Sequence, residues 1–531
     1  MQTARQPASA SAPSAHPLSH LLQDPLPTLD AIARSSASLT PPVPLPAQQS
    51  SSSTLDPHDT PDTTVCIRIR PLLPGEIARG CFSVVDPRNP NVHVHAPAAS
   101  HKGPGAVRTT SFQADMAFGP DDDNESVYRN ALRGMIALTL GGGVSTVMAY
   151  GQTGSGKTHT MTAMSQSIAR DFFHEAIYRT QQDGEPPVSI TADFQIHFSS
   201  FEIFGPNVFD LLSDRNPVQI AEDKFGSVQV RGTREEMASS SADVLALIEL
   251  ATSQRSTAST LKNDTSSRSH GVIRLRVVNT RVPEAEDGLM YLVDLAGSES
   301  AADVAEHSRE RIAETKEINK SLAVLKDCIR NRALAALSPD KFVHIPYRTN
   351  RLTLLLKDLF ELGSPRRCGT VVFACASPNV LDTSATLNTL RYIQPLRVPP
   401  PKPAQPSAPN PKNPSTWTNA YLRTWIARAY PAVDPNLLCP HESGRQILRL
   451  PEGDFLARCL RSPGVTPKRA KAVYIKLWGL LIDARTADRK KKLKERPNQA
   501  ASDQMDREIH EIMTRETGLG RGASDFLRRS F

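Results

Sequence analysis

Long apolar runs are missing from this chain of 531 residues. The longest, such as Val144 to Tyr150, fall far short of the roughly 18 residues that a membrane span needs, which predicts a soluble protein. Basic residues are scarce at the start. Arg5 and Arg34 are the only ones before Arg68, against several aspartates, which argues against a secretory or transit signal. The cysteines number seven, an odd count without paired short spacings, so neither a disulfide frame nor a zinc site is expected and a reduced intracellular compartment fits. No heptad pattern persists over several repeats, so a coiled-coil stalk is not expected. There are no internal repeats.

What is present divides the chain. Residues 1–63 mix Ser, Pro, Ala and Thr with few aromatics, a composition that cannot offset the entropy of ordering, and they read as disordered. From Thr64 the pattern changes. VCIRIRP alternates like a strand, YLVDLAG and TVVFACASP read as buried strands, and 243–254 and 312–332 read as helices. Strands alternating with helices predict an α/β domain over 64–397, a central mostly parallel sheet with helices on both faces. A proline-rich linker follows at 398–415.

Beyond it, Leu422, Trp425, Ile426 and Ala429 recur at helical spacing, and Thr466 with Pro467 opens another helix lined by Ala470, Val473, Tyr474, Leu477, Leu480 and Leu481. Such stripes predict a small all-α domain at 416–485, with a basic helical or disordered tail at 486–531. Residues 416–531 carry 22 Lys plus Arg against 13 Asp plus Glu, while the first 63 hold 2 against 5. An acidic polymer would be drawn to the C-terminal part; a solvated basic helix explains the charge equally well.

GQTGSGKT at 151–158 follows an apolar strand and precedes a helix start, the order a phosphate loop needs. Gly151, Gly154 and Gly156 let backbone N–H groups turn toward phosphate oxygens, and the new helix adds its positive end. Lys157 offers a charge to the β- and γ-phosphates and Thr158 a hydroxyl to Mg²⁺. Two further segments narrow the task. NDTSSRSH at 263–270 packs hydroxyls, an arginine and a histidine together, and DLAGSE at 294–299 ends a strand with an acid and then a glycine. Hydroxyls can hold metal and water, and a glycine N–H can sense a terminal phosphate. Alone, the first could be a solvated serine loop and the second an ordinary strand ending.

With these residues the chain resembles the kinesin family over about 335 residues. AYGQTGSGKTHTM is similar to that family's phosphate loop, NDTSSRSH to its switch I, VDLAGSE to its switch II, and RIRP at 68–71 to its adenine-side motif. The resemblance implies a kinesin-type P-loop NTPase motor domain hydrolysing ATP with Mg²⁺. It places Arg68, Arg70 and Pro71 at the purine and Gly151, Gln152, Thr153, Gly154, Ser155, Gly156, Lys157, Thr158 and His159 around the phosphates. Ser266 and Ser267 stand near the metal and the attacking water, with Thr158, Ser267 and Asp294 holding the metal. Arg268 and Glu299 form a closing salt bridge, and Gly297 senses the γ-phosphate. In-line attack of water needs position and electrostatics rather than a nucleophilic side chain.

The implied partner is the microtubule, in the cytoplasm and cytoskeleton, including the spindle. Its acidic surface would meet Lys326, Arg330, Arg348 and Arg351, though each could be part of an ordinary charged helix face; Lys316 and Lys320 could serve internal ion pairs. FEIFGPNVFDLL, LKDCIR and TLNTLRY resemble the kinesin-13 internal-motor group. The Lys-Val-Asp finger and basic neck of that group are absent from 92–110 and 1–63, which argues against depolymerisation. Residues 416–485 are similar to a sterile alpha motif and could recruit a protein partner. Prolines after the domain argue against a docking neck linker and hand-over-hand walking. The alternatives are a microtubule-binding adaptor with weak mechanical output and, less favoured without stacking aromatics, a nucleic-acid NTPase. His93 and His95 alternate on a strand and read as surface side chains rather than a metal pair.

Overall fold

The computed structural model describes residues 18–43, 63–98, 106–182, 194–223, 226–262, 268–280, 286–298, 309–337, 343–361, 366–397 and 409–494. The chain divides into two units, one of Met1–Val278, Asp287–Arg330 and Pro346–Pro400, the other of Asn279–Glu286, Asn331–Ile345 and Pro401–Phe531.

The first unit is built on a sheet whose strands run in the order Glu236–Ala238, Phe194–Phe204, His270–Asn279, Gly288–Asp294, Val144–Tyr150, Cys368–Ala376, Thr63–Ile69 and Met116–Phe118, with Asn207–Asp210 hairpinned onto Phe194–Phe204. From Gly288–Asp294 to Met116–Phe118 every pairing is parallel. Antiparallel partners extend the sheet on the other side, among them His270–Asn279 against Gly288–Asp294. The parallel centre explains the continuous apolar runs: all seven residues of Val144–Tyr150 are buried, because helices cover both faces.

One face packs Val147 and Ala149 with Met164, Ile168 and Phe172 of the helix Lys157–Gln182 and with Val244 and Ile248 of Ser241–Lys262. A ring as fully buried as that of Phe172 contributes about 2–3 kcal/mol. On the other face Tyr150 stacks on Tyr392 of the helix Thr383–Ile393, with ring centroids 3.9 Å apart, and the Tyr392 hydroxyl donates to the Leu322 carbonyl in Arg309–Leu337. All seven cysteines are free thiols, and only Cys368 is not buried.

A three-stranded antiparallel ribbon, Val85–Arg88, Asn91–Pro97 and Val107–Gln113, stands beside the sheet. Two expectations fail here for one reason. Residues 26–37, read as part of a disordered segment, form the helix Leu26–Ala37, which packs on the ribbon with Thr28 and Ala31 buried. The segment has too little apolar surface to fold alone, but the ribbon supplies the partner groups. Arg88 donates to the carbonyls of Ser36, Leu39 and Thr40, and Val43 exchanges hydrogen bonds with Asn89. This cover turns His93 and His95 from expected surface residues into buried ones. His93 Nδ1 pairs with Ser111 and His95 Nδ1 with Thr109, while His95 Nε2 meets the Ser36 hydroxyl at 3.2 Å. The rest of 1–63 lies outside the described residues, apart from 18–43 and Thr63.

In the second unit five helices, Asn419–Ala429, Pro435–Leu438, Gly444–Ile447, Glu452–Leu460 and Pro467–Lys494, enclose Trp417, Leu422, Ile426, Leu438, Phe455, Val473 and Leu477. Thr418, Asp434 and Ser443 cap three of them through their side chains. Trp417 donates its indole N–H to the Asn410 carbonyl, so the fold takes in residues from the end of the proline-rich stretch. Ala429 lies exposed rather than in the stripe.

Candidate nucleotide-binding site

The buried strand Val144–Tyr150 delivers the chain into a loop whose shape depends on glycine. Gly151, Gly154 and Gly156 have φ of +151°, +75° and +95°. A Cβ on Gly151 would lie 2.2 Å from the Cys375 carbonyl oxygen. The loop opens directly into Lys157–Gln182, whose first-turn N–H groups and positive end face the same space. Lys157 is 8% exposed and donates to the Gln152 carbonyl at 3.0 Å; Ser155 donates to the same oxygen.

The loop is tied to the end of the neighbouring strand Gly288–Asp294. Thr158 Oγ1 donates to Asp294 Oδ2 at 3.0 Å, and Ser298 N donates to the Gly151 carbonyl. Asp294 Oδ2 also accepts from Arg255 Nη1 at 2.9 Å, while Asp294 Oδ1 is buried and has no hydrogen-bond partner among the described residues. A buried carboxylate oxygen left open beside a phosphate-loop hydroxyl fits the hydrated shell of Mg²⁺, a hard cation that keeps its waters and takes oxygen ligands.

His270 closes the other side. Its Nδ1 accepts from Ala296 N at 3.1 Å, which puts the ring proton on Nε2, and Nε2 donates to the Ser321 hydroxyl. Burial, reinforced by Arg255, pushes the His270 pKa down to about 3, so the ring is neutral. One side chain thus links the strand after the switch I motif, the backbone before Gly297 and the helix Arg309–Leu337.

Where an adenine side is expected, Arg68 is buried and hydrogen-bonded to Thr160 and Asn124. Arg70 donates to the Gly154 carbonyl at 2.7 Å and to both oxygens of Glu76, bracing the loop from outside. The hydrogen bond from Arg70 holds the Glu76 carboxyl down at about 2. Pro71 is exposed next to it, as are Thr153 on the loop and His159 in the first turn of the helix Lys157–Gln182. Arg268 is half-buried and Gly297 buried, whereas Ser266, Ser267 and Glu299 lie outside the described residues, and with them the proposed Arg268 salt bridge.

Arg255 and Glu202 belong to this site although none of the phosphate-pocket motifs contains them. Glu202 is fully buried and accepts from the Ser269 hydroxyl; Arg255 Nη2 donates to the Ser269 carbonyl. The one available signal was an acid standing in the apolar run FEIF.

The cations expected to meet an acidic track differ in their surroundings. Lys326 lies over the Tyr392 ring at 5.6 Å, and burial, then Arg330, lowers its pKa. Arg351 donates to the Ile220 carbonyl. Arg348 is 64% exposed and pairs with Glu222, which also meets Lys357 at 2.8 Å. Lys320 is exposed and pairs with Glu317, and Lys316 is exposed.

Comparison with known proteins matches residues 68–397 to the kinesin motor domain. Among solved structures, a KIF14 fragment (residues 391–772), a two-heads-bound dimer with AMP-PNP in complex with a microtubule, is 30% identical with a TM-score of 0.53. The match covers 64% of this chain and 94% of that one. The C-terminal motor and motor homology domain of Kar3Vik1, fused to a synthetic heterodimeric coiled coil, is 25% identical with a TM-score of 0.52, covering 64% and 85% respectively.

Proposed function

The chain belongs to the kinesin motor family, and from that premise we propose that it is an ATP-hydrolysing, microtubule-dependent motor or microtubule-end regulator. The observation that carries the reading is the junction of Thr158, Asp294 and Arg255 across the phosphate loop and the switch II strand, with one buried Asp294 oxygen unpartnered among the described residues.

The residues divide the work. Loop N–H groups cradle the phosphates, and Lys157 exchanges the Gln152 carbonyl for β- and γ-phosphate oxygens. Thr158, Asp294 and Ser267 would hold Mg²⁺, which when bound would neutralise charge on the phosphate oxygens. Ser266 and Ser267 orient the attacking water, Arg268 closes the site through its salt bridge with Glu299, and the Gly297 N–H reads the terminal phosphate. His270 stays neutral and carries the state of Ala296 to Ser321 and thence to the helix bearing Lys326 and Arg330. Arg348 and Arg351 approach the track electrostatically. The helical unit around 416–485 recruits a protein partner, and the protein resides on cytoskeletal microtubules, including the spindle.

Steady-state ATP turnover of the full chain, with and without stabilised microtubules, tests the reading. Strong stimulation that is abolished by Lys157→Ala is expected. Turnover indifferent to microtubules would leave a binding adaptor, and failure to bind Mg·ATP would end the proposal.

A further inference from the structure

The turn after the strand Asn207–Asp210 contains two non-glycine residues in the left-handed region, Asp214 at φ 43° and Arg215 at φ 58°. Such geometry is disfavoured for residues with a Cβ and persists where the surroundings hold it. Here Asn216 N donates to the Ser213 carbonyl and Asp210 N to the Asn216 carbonyl, which pins the turn. The side chain of Arg215 then lies over the Phe209 ring at 4.9 Å and brings Nη1 to 2.6 Å from Glu202 Oε2.

Glu202 is fully buried, so its charge depends on cations within reach. Among the described residues Arg215 and Arg255 lie within 4 Å of it, and they are unequal. Arg215 is at 2.6 Å, whereas Arg255 Nε is at 3.8 Å from Oε1. Arg255 in turn is committed to Asp294 at 2.9 Å. The groups form one line from a surface turn to the phosphate loop: Arg215, Glu202, Arg255, Asp294, Thr158. Arg255 stands between two carboxylates, and what decides its side is how well the other carboxylate is neutralised.

We propose that Arg215 is a positioning residue for nucleotide retention: by neutralising Glu202 it leaves Arg255 on Asp294, and withdrawal of the turn shifts Arg255 toward Glu202 and loosens the metal-facing carboxylate. The turn is placed to receive such a signal. A groove on the same hairpin is lined by Pro206, Val208, Phe209, Pro217, Ile220 and Arg351, the last a candidate track cation.

This inference rests on the nucleotide-site reading above, and the experiment separates the two. Release of a fluorescent ADP analogue from the full chain is followed without microtubules in wild type, Arg215→Gln, Arg215→Lys, Glu202→Gln and the Glu202→Gln/Arg215→Gln double variant. Loss of one charge-assisted contact predicts about tenfold faster release in Arg215→Gln. Arg215→Lys restores most of the retention, and the double variant releases as slowly as Glu202→Gln alone, because nothing then draws Arg255 away. Glu202→Gln alone releases more slowly than wild type, a sign that a merely damaged fold would not produce, and this arm stands even where Arg215→Gln fails to fold. Melting of the nucleotide-free chain supplies a second readout: the Arg215 and Glu202 substitutions should be non-additive. Unchanged release in Arg215→Gln, or Glu202→Gln releasing as fast as wild type or faster, overturns the inference. A wild-type chain that never retains the analogue overturns the nucleotide-site reading instead.

Discussion

His270 accepts the Ala296 N–H on one ring nitrogen and donates to Ser321 from the other, so a single neutral imidazole joins the two switch motifs to the long helix behind them. A charged ring would present a proton where Ala296 already donates.

That geometry sets a pH dependence. The folded pKa of His270, about 3, lies below its unfolded value near 6.5, so the unfolded chain binds the proton more readily between those values. Stability is therefore fully present above pH 6.5 and falls with pH down to about 3, by at most ~1.4 kcal/mol per pH unit from this group. Buried His93 and His95 are shifted in the same direction, chiefly by burial. Urea titrations of wild type and His270→Gln between pH 5 and 8 check this: the wild-type slope below pH 6.5 should be the steeper one.

Gly151→Ala and Gly154→Ala should separate. A Cβ at Gly151 meets the Cys375 carbonyl oxygen at 2.2 Å, whereas one at Gly154 meets nothing within 4 Å. The first substitution should weaken binding of a fluorescent ATP analogue more than tenfold and lower the melting temperature. The second carries only the left-handed penalty of about 1 kcal/mol. Equal effects would show that the Cys375 contact is not what shapes the loop.

Lys326 and Arg348 should also part company. Lys326 is engaged with the Tyr392 ring, so Lys326→Ala should reduce stability by about 0.5–1 kcal/mol and change microtubule affinity less than twofold. Exposed Arg348 adds little to folding, since surface pairs contribute about 0–1 kcal/mol, but Arg348→Ala should weaken microtubule binding several-fold at low salt. Cosedimentation across a salt series measures both, and the Arg348 difference should shrink as salt rises.

Arg88→Gln should release the N-terminal helix. Three carbonyls at the end of Leu26–Ala37 and just beyond it would lose their donor, at about 1–3 kcal/mol. Hydrogen exchange should rise at 26–37 and in Asn91–Pro97, while the phosphate loop stays protected.

Much of this was legible in the sequence, and the exceptions share a cause. GQTGSGKT, SRSH and DLAG are contiguous, so local chemistry announces them, and apolar runs bounded by turns announced the central strands. Arg255 and Glu202 come from a helix and a strand far apart in the chain and meet only after folding. The N-terminal helix was missed because its order is supplied by Arg88 and Asn89 on the ribbon rather than by its own composition. His93 and His95 were misplaced with it, since strand alternation cannot tell a solvated face from one that a distant segment covers.

The thiols have a practical consequence. Burial pushes Cys328 and Cys439 up to about 12 and Cys375 and Cys459 to about 11, and with Cys66 and Cys81 they are shut away from solvent. At neutral pH a maleimide finds almost no accessible thiol on the folded chain, half-buried Cys368 being the one partial opening. A cysteine placed at a chosen surface position would take a fluorophore against a near-silent background, and the native thiols would become reactive only when a region opens, each reporting its own.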